Sequence, residues 1–310
     1  MNIKLFTPVV FIIYNRPDKT EIVFNAIRKA QPETLYIIAD GPKKNNTGDN
    51  EKCSAVKRIC NSIDWNCKVF TNYADQNMGC KKRVSSGLDW VFEQVNEAII
   101  LEDDCLPHPT FYQYCQELLV YYRNNENVMM ISGDNFQNGI KRGNASYYFS
   151  RVPHIWGWAT WKRAWKLYDV SMKSFPYVNK AEFIKKSFKS KKMGTYWYQH
   201  LEQFYYSNVD TWDHQWTYTV LSNNGFCINP NTNLISNIGF GVDALHTKDL
   251  NSKNANMSID GIDLPLIHPS LNKFCDSADY FTFRNEHRPF FHIRIFKKIT
   301  KLLKKIIKNV

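Results

Sequence analysis

Five runs rich in β-branched and aromatic residues recur along the first half of this chain: PVVFIIY, TLYIIAD, CKVFT, EAIILED and VMMISG. They return every ~30 residues, the length of one strand–helix–strand unit. Helical patterns fill the gaps between them. This alternation restricts the fold more than any other feature, because it implies right-handed βαβ crossovers and a mostly parallel sheet. Most of the runs are continuously apolar rather than alternating, as expected where helices cover both faces of a strand. Helices are expected from Lys19 to about Ala30 with Asp18 as the cap, from about Asn50 to Ser62, from Arg83 to about Gln94, and from Pro109 onward. A long helical region is expected from about Lys180 to Tyr206. The expected class is α/β.

Composition narrows the function. Apolar residues make up 44% of the 310 positions, a globular balance and not a disordered one. The eight cysteines form no Cys-x-x-Cys pair, so reduced thiols in a cytosolic protein are expected. No segment reaches the ~18 apolar residues of a membrane-spanning helix, and LFTPVVFIIY reads as the first core strand. The net charge of +11 suggests an anionic partner. Seven basic residues and no acid lie between Phe291 and Val310. There, IFKKITKLLKKIIKNV puts its apolar residues on one helical face and six lysines on the other. That pattern fits an interfacial helix on anionic lipid, over residues 295–310, better than nucleic acid.

In parallel sheets ligands bind beyond the carboxyl ends of the strands. Tyr14–Arg16, Asp40, the loop at Asn77 and the trio Glu102, Asp103 and Asp104 all fall at such ends. Three consecutive acids after a core strand suit a hard cation shared with substrate phosphates. They also suit the start of the next helix, where its dipole favours negative charge.

The stretch ILEDDCLPHP resembles the acidic metal motif of the GT-A glycosyltransferases, in the E-D-D form of families resembling N-acetylglucosaminyltransferase I. VVFIIYNRP, IIADGPK, QNMGCKKRV, WDHQW and NIGFGVDALHT resemble successive segments of the same fold, over roughly residues 5–250. The resemblance implies a Rossmann-like GT-A sheet and a nucleotide-sugar donor. Asp104 would be the main ligand of Mn²⁺ or Mg²⁺, Asp103 would meet the ribose or the metal shell, and Glu102 the donor sugar. Arg16 and Asp40 would contact base and ribose. Asn77, Gly79 and Arg83, opening a helix, would meet the nucleotide or diphosphate. A late histidine, His246, would reach the metal or diphosphate, with Asp243 a lesser companion. Asp213 would be the general base, at the start of a helix. His214 beside it is expected to be a packing residue.

The second half opens on a tryptophan-rich segment. Trp156, Trp158 and Trp161 suit a sugar-stacking surface or an aromatic core equally well. The expected organisation is a nucleotide-sugar-binding half (1–150), an acceptor-binding and catalytic half of the same domain (151–275) and a basic tail (276–310). The expected activity is metal-dependent, inverting transfer from a nucleotide-diphosphate sugar, UDP-sugar favoured, to a lipid-linked or lipopolysaccharide glycan at the cytoplasmic membrane face. A sugar-nucleotidyltransferase and a non-catalytic binding protein are the alternatives.

Overall fold

The structure, a computed structural model, describes residues 4–207, 209–241, 249, 252–270 and 273–287. The strands are β1 (Val9–Ile13), β2 (Thr34–Ala39), β3 (Lys68–Tyr73), β4 (Glu97–Glu102), β5 (Cys105–Pro107), β6 (Val128–Ser132), β7 (Tyr147–Ser150), β8 (Trp158–Trp161), β9 (Phe226–Pro230) and β10 (Ile235–Asn237). The helices are α1 (Pro17–Ala30), α2 (Asp49–Cys60), α3 (Cys80–Gln94), α4 (Thr110–Tyr121), α5 (Lys162–Trp165), α6 (Lys180–Ser187), α7 (Lys191–Ser207), α8 (Asp213–Ser222) and α9 (Asp276–Thr282).

Eight strands form one sheet in the order β3-β2-β1-β4-β8-β6-β9-β7, and β5 and β10 form a separate antiparallel ribbon. β3, β2, β1 and β4 are parallel neighbours, and β6 and β9 are parallel to each other. β8 runs antiparallel to both β4 and β6, and β7 antiparallel to β9. The fold is therefore α/β with a mostly parallel sheet, as the periodicity requires.

The alternate residues of each strand separate the core into two layers. Val9, Phe11, Ile13, Leu35, Ile37, Ile99 and Leu101 pack under α1, α2 and α4. Val10, Ile12, Tyr36, Ile38, Ala98 and Ile100 pack under α3, α5 and α8. Both faces of β1, β2 and β4 are thus dry, which is why their sequences carry no polar alternation. A smaller cluster, including Phe175, Phe183, Trp197, Leu201 and Phe283, sits beneath α6 and α7.

Some expected elements differ. Asp18 does not cap α1: the cap is Arg16 with no side-chain bond, and Asp18 lies in the first turn, where its charge still suits the helix dipole. The helical region after Lys180 is two helices, because Phe188 turns extended and packs against Trp197. α3 begins at Cys80, three residues before the expected start. The first part of the expected basic tail belongs to the body: Phe283 is fully buried, and Asp279 of α9 accepts bonds from Ser150 Oγ (2.6 Å) and Arg151 N–H (3.1 Å). Residues 295–310 lie outside the described residues. All eight cysteines are free thiols, and no helix among the described residues is long and apolar enough to cross a membrane.

Candidate active site

β1, β2 and β4 end in register, with Ile13 opposite Ala39 and Ile12 opposite Glu102. Three connections therefore leave the same carboxyl end of the sheet, carrying Tyr14–Arg16, Asp40 and Glu102–Asp104. Arg16 stands between two of the acids. Its Nη1 donates to Asp104 Oδ2 at 2.9 Å, and its Nη2 donates to Asp103 Oδ1. The Tyr14 N–H also approaches Asp103 Oδ2 at 3.4 Å. Burial pulls the Arg16 guanidinium down, but the two carboxylates outweigh it and hold it charged above its ordinary range.

One cation does not neutralise three acids. Burial, then the charges of Asp104 and Asp103, push Glu102 up to about 8, with Asp213 contributing in the same direction. Asp103 rises to about 6, since burial and Asp104 outweigh Arg16. Asp213, at the first residue of α8, is thus close enough to the trio for its charge to be felt there. Its Oδ1 accepts a bond from the Thr211 hydroxyl, and His214 Nδ1 lies 3.4 Å from Oδ2. The His214 ring packs on Phe204 and on His200, which burial lowers to about 4.

The β5–β10 ribbon closes over the trio. Ile238 N–H bonds the Asp104 carbonyl at 2.9 Å, and a Cβ on Gly239 would fall 2.7 Å from the Cβ of Asp104. The NIGFG segment therefore lies directly against the acids. His246 and Asp243, further along it, lie outside the described residues.

Other candidate residues serve the walls. Asp40 uses both oxygens to hold the Asn77 loop, accepting Gly41 and Met78 N–H at 2.8 Å, Asn77 Nδ2 at 2.9 Å and Gly79 N–H at 3.2 Å. Burial still raises its pKa above the ordinary carboxyl value despite these donors. Arg83 is 4% exposed and spends its donors on the Ala39 carbonyl (3.0 Å) and the Asn72 carbonyl and side chain (2.5 and 2.8 Å). Through Nε and Nη2 it pins α3 to the ends of β2 and β3. The first amides of α3 are also taken, by Asp210.

Trp158 has no open face: it is fully buried and stacks on Trp212 at 5.3 Å, with Trp216 and Trp165 around it. Trp161 is core as well, its Nε1 donating to the Leu119 carbonyl. Trp156 is partly exposed, between Phe136 (5.3 Å) and Phe240 (5.8 Å), and remains the candidate sugar platform.

Two acids escaped the sequence reading. Asp49 is 1% exposed and gathers Tyr14 Oη (2.7 Å), Asn15 Nδ2 (2.5 Å) and Lys43 N–H (2.7 Å). Burial opposes its charge, but these donors win and lower its pKa. Asp210 lies only three residues before Asp213, and nothing local marks its partner 130 residues away.

Among the described residues no three His, Cys, Asp or Glu side chains are grouped to hold a metal ion. A hard divalent ion that shares substrate phosphates needs only one or two carboxylates. Asp104 fits that demand: it offers hard oxygen beside a glycine that admits no side chain, and its Oδ1 takes the weak Cys105 thiol donor at 3.6 Å.

No family model matches the sequence, and no curated protein matches it. Solved structures align over part of the chain. Mouse xyloside xylosyltransferase 1 aligns at 10% identity over 70% of this chain and 82% of its own, with a TM-score of 0.34. The galactosyltransferase LgtC, in complex with donor and acceptor sugar analogs, aligns at 9% identity over 69% and 70%, with a TM-score of 0.32. A cytidylyltransferase from Leptospira borgpetersenii serovar Hardjo-bovis aligns at 13% identity over 52% of this chain, with a TM-score of 0.32; the chain spans 63% of that protein. Alignments of this depth leave the reaction to be read from the side chains.

Proposed function

We propose that this chain is a glycosyltransferase that moves a sugar from a nucleotide-diphosphate sugar, UDP-sugar favoured, to a glycan or lipid-linked glycan acceptor, with inversion at the anomeric carbon. One observation carries the reading. Glu102–Asp104 gather at the carboxyl ends of parallel strands with Arg16 bonded to two of them, and Asp213, from the other half of the chain, lies near enough for its charge to act on Glu102.

Each group then has work suited to its surroundings. Asp213, with a side chain 23% exposed, is reachable by an acceptor hydroxyl and takes its proton as that oxygen bonds to the anomeric carbon. The bond from that carbon to the diphosphate breaks in the same step. Arg16 brings fixed positive charge to the side where the leaving group gathers negative charge. Glu102, whose pKa is raised by burial and by the neighbouring Asp104 and Asp103, faces the donor sugar. Mn²⁺ or Mg²⁺ on Asp104, when bound, supplies Lewis-acid stabilisation of the diphosphate. Trp156 offers an aromatic face to a sugar ring.

The test is turnover of Asp213→Asn. A drop of at least ~10²-fold with donor affinity nearly unchanged is expected when a general base is lost. A product that keeps the donor's anomeric configuration would remove the reason for a base and overturn the reading. Peripheral binding to anionic membrane through residues 295–310 is part of the proposal. Its support is the one-sided lysine face, each near-surface lysine contributing about 1 kcal/mol. Deleting Phe296–Val310 is expected to release the protein from anionic vesicles in co-sedimentation, and equal pelleting of both forms would refute it.

A further inference from the structure

The three residues before α8, Asp210 to Trp212, join two parts of the site that the reaction must hold in step. Asp210 accepts the Cys80 N–H on Oδ2 at 2.9 Å and the Lys81 N–H on Oδ1 at 2.8 Å, so it caps α3 from the other half of the chain. Gly79 lies at φ +82°, and a Cβ there would fall 2.6 Å from Asp210 Oδ2, so only glycine lets the carboxylate close on the helix start. That helix start is bound on its other side by Asp40, through Met78 and Gly79 N–H, at the end of β2. One residue after Asp210, the 8%-exposed Thr211 donates its hydroxyl to Asp213 Oδ1. Trp212, 2% exposed, locks the segment between them by stacking on Trp158.

A chain of direct contacts therefore runs from the end of β2 through Asp40, the start of α3, Asp210 and Thr211 to Asp213. We propose that Asp210 and Thr211 are positioning residues: Asp210 fixes the Asp213 segment against the donor side of the crevice, and Thr211 fixes the rotation of the Asp213 carboxylate. This rests on the reading of Asp213 as the base. An aspartate at the first turn of a helix has more than one staggered rotamer, and a single donor on Oδ1 selects among them. A carboxylate rotated away from the acceptor hydroxyl loses the alignment that makes proton transfer effective.

The experiment uses the full chain, with UDP as the binding probe and UDP release from UDP-glucose or UDP-N-acetylglucosamine as turnover. Thr211→Val is expected to cut turnover about tenfold while UDP affinity stays within about twofold, and Thr211→Ser to restore it. Asp210→Ala is expected to weaken UDP binding about fivefold and lower turnover too, with Asp210→Asn, which keeps one acceptor oxygen, in between. Amide exchange gives a readout independent of activity. In Asp210→Ala or Asp210→Asn, the Cys80 and Lys81 amides and the peptide covering 213–222 should exchange faster together. Faster exchange at α3 with no change over 213–222 overturns the coupling. Wild-type turnover in Thr211→Val overturns the Thr211 role. The failure of the base reading is distinguishable, since only then does Asp213→Asn keep its turnover.

Discussion

Gly239 leaves Asp104 no room to share. Its missing side chain would sit 2.7 Å from the Asp104 Cβ, and the backbone cannot retreat, because Ile238 N–H is bonded to the Asp104 carbonyl. Gly239→Ala is therefore expected to turn the Asp104 carboxylate off Arg16. We expect a loss of at least ~10-fold in turnover from this misplacement, with only a few degrees lost in thermal melting. A variant that melts far lower but keeps full turnover per folded molecule would contradict this. Asp104→Asn tests the same atom by chemistry rather than by shape. It keeps the side-chain volume and removes the charge, so Mn²⁺-dependent donor binding in isothermal titration should vanish while the melting temperature changes little. Metal-dependent affinity equal to wild type would remove Asp104 from the metal site.

At the scale of elements, the docking of α9 on β7 carries a titratable group with a predictable sign. Burial raises Asp279 to about 6 from its ordinary value of 3.8. A carboxyl raised on folding binds its proton more tightly in the native state, so wild-type stability falls as pH rises from about 4 to about 6 and is flat above. Asp279→Asn lacks that loss. Its stability relative to wild type should climb across this window, by at most about 3 kcal/mol at ~1.4 kcal/mol per pKa unit. Urea melts at pH 4 and pH 7 measure it, and a constant difference would refute it. Elements made by local pattern were legible before the structure: β1, β2, β4 and β6 are continuous apolar runs. β8 was not, because WATW is four residues long and is a strand only through its antiparallel pairing with β4 and β6. The place of the candidate site was legible in part. The trio and Arg16 were marked by charge at strand ends, and Asp213 by the GT-A resemblance. The duties of Arg83, Asp40 and Trp158 depend on carbonyls, amides and rings that distant residues supply, and no spacing reveals those.

For the whole molecule, β8 is the seam. β4 has β1 on one side and β8 on the other, and β6 lies between β8 and β9, so both rely on strands from beyond residue 150. The fragment 1–150 would bare the edge of β4 and leave β6 without either neighbour. It is expected to aggregate or to melt without a cooperative transition, since a flat apolar strand edge is a template for further pairing. A sharp reversible transition in that fragment would show that the halves fold separately. The same geometry imposes a delay during synthesis. A ribosome that has completed codon 102 must still translate through codon 161 before the edge of β4 can be covered. At about 5–20 residues per second this takes several seconds, a window in which chaperones compete with aggregation. Slow synonymous codons placed between positions 102 and 161 should therefore lower the yield of soluble protein without altering one amino acid.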